Sequence, residues 1–447
     1  MRRLAALGAA VAGLLLAGAV AAPVPAAATP GAPAGRGPAP AGLVAAPVPS
    51  AATPGPPNAP EYWFDSWQIP QLWAAGARGQ GITIAEIDTG VNASLPELAG
   101  NVLPGTDFGQ PGDGRVDRDI SDFGHGTAMA SIMVGKPGLL GISGIAPGAE
   151  LLPIAVPLIG TTDAGPDDHL AEAIRYAANH GGKVISMSLG GSRTPANNSE
   201  PCPSAEQEAI YYALSRGAVL LAASGNGGQS GSGVEEPGVC LGVVSVGAVD
   251  QTGAVAPFSS RHPYLTLAAP GVGIPSLSRV PGTAYSGDGT SQATAIASAV
   301  VALEWSKYPA LTGRQVVTRL LATLDGGNGQ HDPGLGYGIV DAYRAVTAAV
   351  PANAPNPVYT AVEPFLARYL AFTHPVSAPA PSAPPTTRRL GAFAVGSAPG
   401  PLAPTAVRGL GLAGAGLLGL IGLAVGSAVR RRRRAAVEEE EKAEKAE

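Results

Sequence analysis

Charge is what this chain of 447 residues has least of: only 14% of its positions are Asp, Glu, Lys or Arg, and the formal net charge is −5. A nucleic-acid-binding surface needs a basic excess to neutralise phosphates, so that class of function is excluded. The one strong basic cluster, the five arginines at 430–434, follows an apolar run and points to a membrane instead. Cysteine is nearly absent too. The two present, Cys202 and Cys240, have neither the spacing nor the companions of a metal site, and no metal or cofactor is expected. No internal repeat is visible, which sets solenoids and propellers aside. With little charge but 62 Gly and 44 Pro, the chain is expected to carry long structureless stretches around a smaller folded unit.

The two ends are the least globular parts. Arg2 and Arg3 precede an apolar run over 4–20, followed by small residues suited to cleavage at Ala19-Val20-Ala21 or later near Ala28. These are the parts of a secretory signal, expected over 1–21. Residues 22–60 are rich in Pro and Ala without apolar periodicity and read as an extended arm. A similar stretch, 351–408, reads as a linker; the apolar patch within it at 358–372 either packs on the folded unit or forms a short helix. Residues 409–429 are apolar throughout. As a helix they would measure about 31 Å, enough to cross a bilayer core. The arginines that follow place the tail, 430–447, in the cytoplasm and the bulk of the protein outside. Export also suits a disulfide between Cys202 and Cys240, worth roughly 3–4 kcal/mol for a loop of about 39 residues, with two buried thiols as the alternative.

Between the arm and the linker lies the folded unit, 61–350, large enough for a full hydrophobic core. Strand-like runs at 82–87, 151–156, 184–189, 218–223 and 243–249 alternate with helical patterns. Helices are expected over 125–134, 168–180 and 203–216, and from Ser291 to Trp305 or Lys307. Alternation of this kind implies an α/β fold with a parallel sheet and helices on both faces. Ligands of such sheets gather at the carboxyl ends of the strands.

Three strings converge on that rim. IAEIDTG ends a strand and supplies Asp88; GHGTAMA supplies His125 at a helix start; GDGTSQATA supplies Ser291 at another. A serine hydroxyl is a poor nucleophile near neutral pH. It becomes competent when an imidazole takes its proton and a carboxylate fixes the tautomer of that imidazole and stabilises its cationic form. An acid, a base and a hydroxyl in this order, each on a Gly-flanked junction, form the set a nucleophilic hydrolase needs.

On these strings the region 61–350 resembles the subtilisin-like serine peptidases, or subtilases. The segments WQIPQLWAAGARGQGITIAEIDTGV and GYGIVDAYRAV, with the order signal, arm, enzyme domain, linker and single C-terminal helix, are most similar to the mycosins, membrane-anchored subtilases associated with type VII secretion. The resemblance covers about two thirds of the chain. It implies a three-layer subtilisin-like fold with a central, mainly parallel sheet. It also implies that Ser291 is the nucleophile, His125 the general base and Asp88 its orienting acid. Asn226 in ASGNGG would complete an oxyanion hole with the backbone N–H of Ser291. Ser188, Leu189 and Gly190 in SMSLGG would pair with substrate backbone. The implied partners are protein substrates, the membrane and the type VII secretion membrane complex.

The sequence departs from the family pattern in three places. The proline that usually follows the nucleophile string is absent from Gln292-Ala293-Thr294-Ala295; it shapes the helix and not the proton transfer, so activity is expected to survive. Glu86 replaces an apolar residue two positions before Asp88 and on the same strand face, where it is expected to find a polar partner or solvent; the alternative is like-charge repulsion with Asp88 that raises one carboxylate's pKa and weakens the acid's hold on His125. The arm holds no cysteine to tie it down. Two other functions compete with secretion-linked proteolysis: a surface-tethered degradative protease and a mainly structural subunit of the secretion complex. The stretch Leu402-Ala403-Pro404-Thr405-Ala406 also resembles a cell-wall sorting signal, an alternative to the membrane anchor.

Overall fold

In the computed structural model the described residues are 61–138, 140–158, 169–193, 202–228 and 234–373, with two strand pieces of the arm at 44–45 and 53–54. The expected signal, the linker beyond 373, the membrane helix at 409–429 and the tail lie outside the described residues. Among the described residues, no helix is long and apolar enough to cross a membrane.

The arm contributes the first two strands, β1 (Val44–Ala45) and β2 (Thr53–Pro54), and the short helices α1 (Tyr62–Ser66) and α2 (Ile69–Ala74) follow. The β-branched run then forms β3 (Thr83–Asp88), and β4 (Thr106–Asp107) lies at the sheet edge. The GHGT string opens α3 (His125–Val134), buried along its whole length, and β5 (Glu150–Ala155) pairs with β3. Leu170, Ala173, Ile174 and Ala177 form the buried stripe of α4 (Leu170–Asn179). The strand expected over 184–189 is two strands, β6 (Val184–Met187) and β7 (Leu189–Arg193), with Ser188 at the break. Next come α5 (Ser204–Ser215), β8 (Val219–Ala223), β9 (Val234–Glu236) and β10 (Val243–Val249). After β11 (Leu267–Pro270), β12 (Ile274–Leu277) and β13 (Ala284–Gly287), the chain enters α6 (Thr290–Lys307). Three helices complete it: α7 (Gly313–Ala322), α8 (Ala342–Thr347) and α9 (Pro357–Thr373).

The central sheet has seven strands in the order β11-β10-β8-β6-β3-β5-β4, and every pair in it is parallel. Strands β6, β8, β10 and β11 are buried at every residue, as a sheet covered on both faces requires. The register assigns the faces. Ser186 stands beside Glu86 and its hydroxyl accepts a 2.9 Å hydrogen bond from Ser298 of α6. The next residue back, Ala85, lies on the other face, where Gly182 packs between it and Ala177 of α4. Glu86 and Asp88 therefore share the face that α6 covers, and α3 packs beside α6.

The packed unit runs past residue 350. Asn356 accepts the Tyr359 N–H at 3.1 Å to start α9, which buries Val358, Tyr359 and Val362, the last against Gly242, and sets the Tyr369 ring at a tilt beside Tyr211 of α5. The patch left open in the sequence is both a helix and packed. Cys202 and Cys240 form a disulfide.

Candidate active site

Asp88 is the last residue of β3 and is fully buried. Its Oδ1 accepts the Thr89 N–H at 2.7 Å; the His125 Nδ1 lies 2.8 Å from Oδ1 and 3.0 Å from Oδ2. A carboxylate can only accept, so Nδ1 carries the proton and Nε2 is left as the basic nitrogen. The close start of α3 depends on Gly126, where a Cβ would stand 2.2 Å from the Gly90 carbonyl oxygen. Burial pushes the His125 imidazole down, but Asp88 beside it, with Asp119 and Asp117 farther off, more than offsets this, and the net direction is up.

Two acids that the sequence reading passed over hold this arrangement. Asp119 accepts the His125 backbone N–H at 2.8 Å, and Asp117 accepts the Thr127 N–H at 2.9 Å and the Thr89 hydroxyl at 2.8 Å. Thr89 in turn accepts the Gly126 N–H at 2.9 Å. The orphan donors at the start of α3 are thus tied to the loop that follows Asp88. Asp119 stands six residues before the helix, outside the usual N-cap spacing, so no local pattern marks it.

Ser291 is the second residue of α6 and is 2% exposed. Its Oγ donates to the Ser188 carbonyl at 2.9 Å, and the Ser188 Oγ donates to the Ser291 carbonyl at 3.0 Å. The structure brings Asp88 and His125 into hydrogen-bond contact and leaves the Ser291 hydroxyl on Ser188. Asn226 is anchored one residue away: its Oδ1 accepts the Thr290 N–H at 3.0 Å and the Thr290 hydroxyl at 2.9 Å. With the oxygen so committed, the amide N–H groups form the other side of the group. Leu189 and Gly190 lie at the start of β7, immediately after Ser188.

The missing proline leaves α6 unbroken through Ala295, which is fully buried. Gln292 is buried against Gly287 and Gly289; a Cβ on Gly289 would meet its Oε1 at 2.4 Å. Glu86 does not find the polar partner or solvent expected of it. It is 2% exposed, and neither carboxyl oxygen has a hydrogen-bond partner among the described residues. The strand face that it shares with Asp88 is covered by α6. Burial first, then the charges of Asp88 and Asp117, raise its pKa well above the ordinary carboxylate range.

Comparison with known proteins identifies the family. The model of the subtilase family matches residues 79–338. Mycosin-3 of Mycobacterium tuberculosis is 33% identical over 336 residues, covering 64% of this chain and 71% of the relative. Thermitase of Thermoactinomyces vulgaris is 35% identical over 284 residues, covering 62% of this chain and 93% of the relative. Among solved structures, the MycP3 protease from the type VII (ESX-3) secretion system superposes with a TM-score of 0.58 at 31% identity, over 69% of this chain and 93% of that one. A chain in the periplasmic assembly from the ESX-5 inner membrane complex superposes with a TM-score of 0.58 at 28% identity, over 71% and 90%.

Proposed function

Since the chain belongs to the subtilase family of serine peptidases, and within it to the mycosin type, we propose that Ser291 attacks peptide bonds with His125 as its base and Asp88 as the orienting acid. The observation that carries this reading is the Asp88–His125 bond at 2.8 Å, which holds the proton on Nδ1 and leaves Nε2 as the basic nitrogen. In the first step the Ser291 Oγ bonds to the scissile carbonyl carbon as its proton passes to His125 Nε2. The carbonyl oxygen becomes an oxyanion, taken up by the Ser291 N–H at the positive end of α6 and by the Asn226 amide. His125 then returns the proton to the departing amine, leaving an acyl-enzyme. Water, deprotonated by the same nitrogen, releases the acid and restores the hydroxyl.

The Ser188 carbonyl links binding to attack. It accepts the Ser291 hydroxyl when no substrate is bound, and it is the group that a substrate N–H laid along Ser188, Leu189 and Gly190 would take over. Substrate pairing would thereby release the hydroxyl toward His125. Main-chain pairing of this kind tolerates many side chains, which suits a peptidase for extended segments.

The site of action follows from the ends of the chain and from its relatives. A helix at 409–429, with arginines on its far side, would hold the enzyme domain outside the membrane and the tail in the cytoplasm. The mycosin relatives are described with type VII secretion systems, and proteins handled by such a system are the substrates we infer. The likeness to a chain of the ESX-5 periplasmic assembly favours a second, structural role in the same complex. Replacing Ser291 by Ala in cells separates the two. If N-terminal peptide mapping of released proteins finds the same termini with and without the hydroxyl, the proteolytic reading is wrong. If secretion fails only when the whole chain is deleted, the structural role is the one that matters.

A further inference from the structure

One carboxylate lies against both of the segments that flank the nucleophile. Strands β6 and β8 are parallel neighbours in the central sheet, so the segments that leave their carboxyl ends, 188–190 and 224–226, stand side by side. The first receives the Ser291 hydroxyl on the Ser188 carbonyl, and the second ends at Asn226, anchored on Thr290. Glu235 comes to both from β9, the strand that pairs antiparallel with β7. A Cβ on Gly225 would meet the Glu235 Cγ at 2.7 Å and its Oε1 at 3.1 Å, and one on Gly190 would stand 3.7 Å from Oε2. Gly225 also has a φ of +99°, so its place is closed to a side chain on both counts. The Glu235 backbone is held as well: its N–H donates to the Tyr264 hydroxyl at 2.9 Å, and the Tyr264 ring stacks on His262 with centroids 4.5 Å apart. Glu235 is 8% exposed.

We infer that Glu235 determines specificity, selecting lysine or arginine as the residue that supplies the scissile carbonyl. This rests on the reading of Ser291, Asn226 and 188–190 given above. A substrate residue laid there gives its N–H to the Ser188 carbonyl and its own carbonyl oxygen to the Asn226 amide. Its Cα then lies over the gap between the two segments, and its side chain enters that gap. Gly190 and Gly225 contribute no side chain to the walls, and the Glu235 carboxyl takes the space they leave. Backbone pairing elsewhere along the substrate reads no side chain, so this position carries the selection. An apolar side chain would strip water from the carboxylate and return nothing, and an acidic one would add like-charge repulsion. A cation returns a charge-assisted hydrogen bond, bidentate in the case of arginine.

The test uses the full chain and four fluorogenic peptides, identical except for Lys, Arg, Leu or Glu before the scissile bond. For the unaltered chain kcat/KM is expected to be roughly tenfold higher with Lys and Arg than with Leu, and lowest with Glu. Glu235→Gln is expected to lower the ratio of Lys to Leu roughly tenfold, and Glu235→Lys to place the Glu peptide above the Lys peptide. A merely structural Glu235 would slow all four peptides alike and leave the ratio where it was. That result, or equal kcat/KM for the Lys and Leu peptides in the unaltered chain, overturns the inference and leaves the peptidase reading standing. No turnover of any of the four overturns the peptidase reading itself, and this inference with it.

Discussion

Ser188 and Ser291 hold each other by two reciprocal hydrogen bonds, each hydroxyl donating to the backbone carbonyl of the other. The pair locks the break between β6 and β7 to the first turn of α6. Ser188→Ala keeps the carbonyl that receives the nucleophile and removes only the hydroxyl that supports α6. It is expected to cost about 1 kcal/mol of stability in denaturant titrations while kcat changes only a few-fold. A collapse of activity without loss of stability would contradict this division of labour.

The pH dependence of activity follows from the environment of His125. The base works only when unprotonated, and its net shift is upward. The ascending limb of kcat/KM is therefore expected above the ordinary imidazole value of about 6.5. The sign for stability is the same as for any group with a raised folded pKa: its contribution is full at low pH and is lost as pH rises through the folded value. Asp88→Asn should move the limb down and reduce kcat by on the order of 10⁴-fold.

Glu86 predicts a different pH signature. The native state keeps its carboxyl protonated while the unfolded chain ionises it above about 4.3, so the unfolded state binds fewer protons and stability falls as pH rises between the two values. Glu86→Gln removes that dependence. Its stability relative to the unaltered chain should climb by about 1.4 kcal/mol per pH unit across this window. Parallel stability curves for the two proteins from pH 5 to 7 would show that the carboxyl is not held neutral.

Asn226 is positioned by its carbonyl oxygen, which leaves its amide as donor. Asn226→Ala is expected to lower kcat by about 10²–10³-fold with little change in KM, since an oxyanion forms only after binding. A change confined to KM would assign the residue to substrate binding.

Much of this was legible because it is written in local patterns. The strand ending in Asp88, the stripe of α4 and the Gly-flanked starts of α3 and α6 each depend on residues within one turn or strand. What escaped depends on contacts across the chain. Strand β7 has two glycines among its first three residues and becomes a strand only because β1 and β9 flank it. Asp117 and Asp119 serve α3 from a loop with no helical spacing to it. Glu86 was visible as an anomaly, but its isolation was not, because only the packing of α6 over that face decides whether a carboxyl there meets water.

The most direct test of the triad is a burst titration with a chromogenic ester. The unaltered chain should release one equivalent of chromophore per enzyme before steady state, Ser291→Ala should release none, and peptide mapping of the trapped acyl group should find it on Ser291. A missing burst in the unaltered chain, or an adduct mapped to another residue, would contradict the assignment of Asp88, His125 and Ser291.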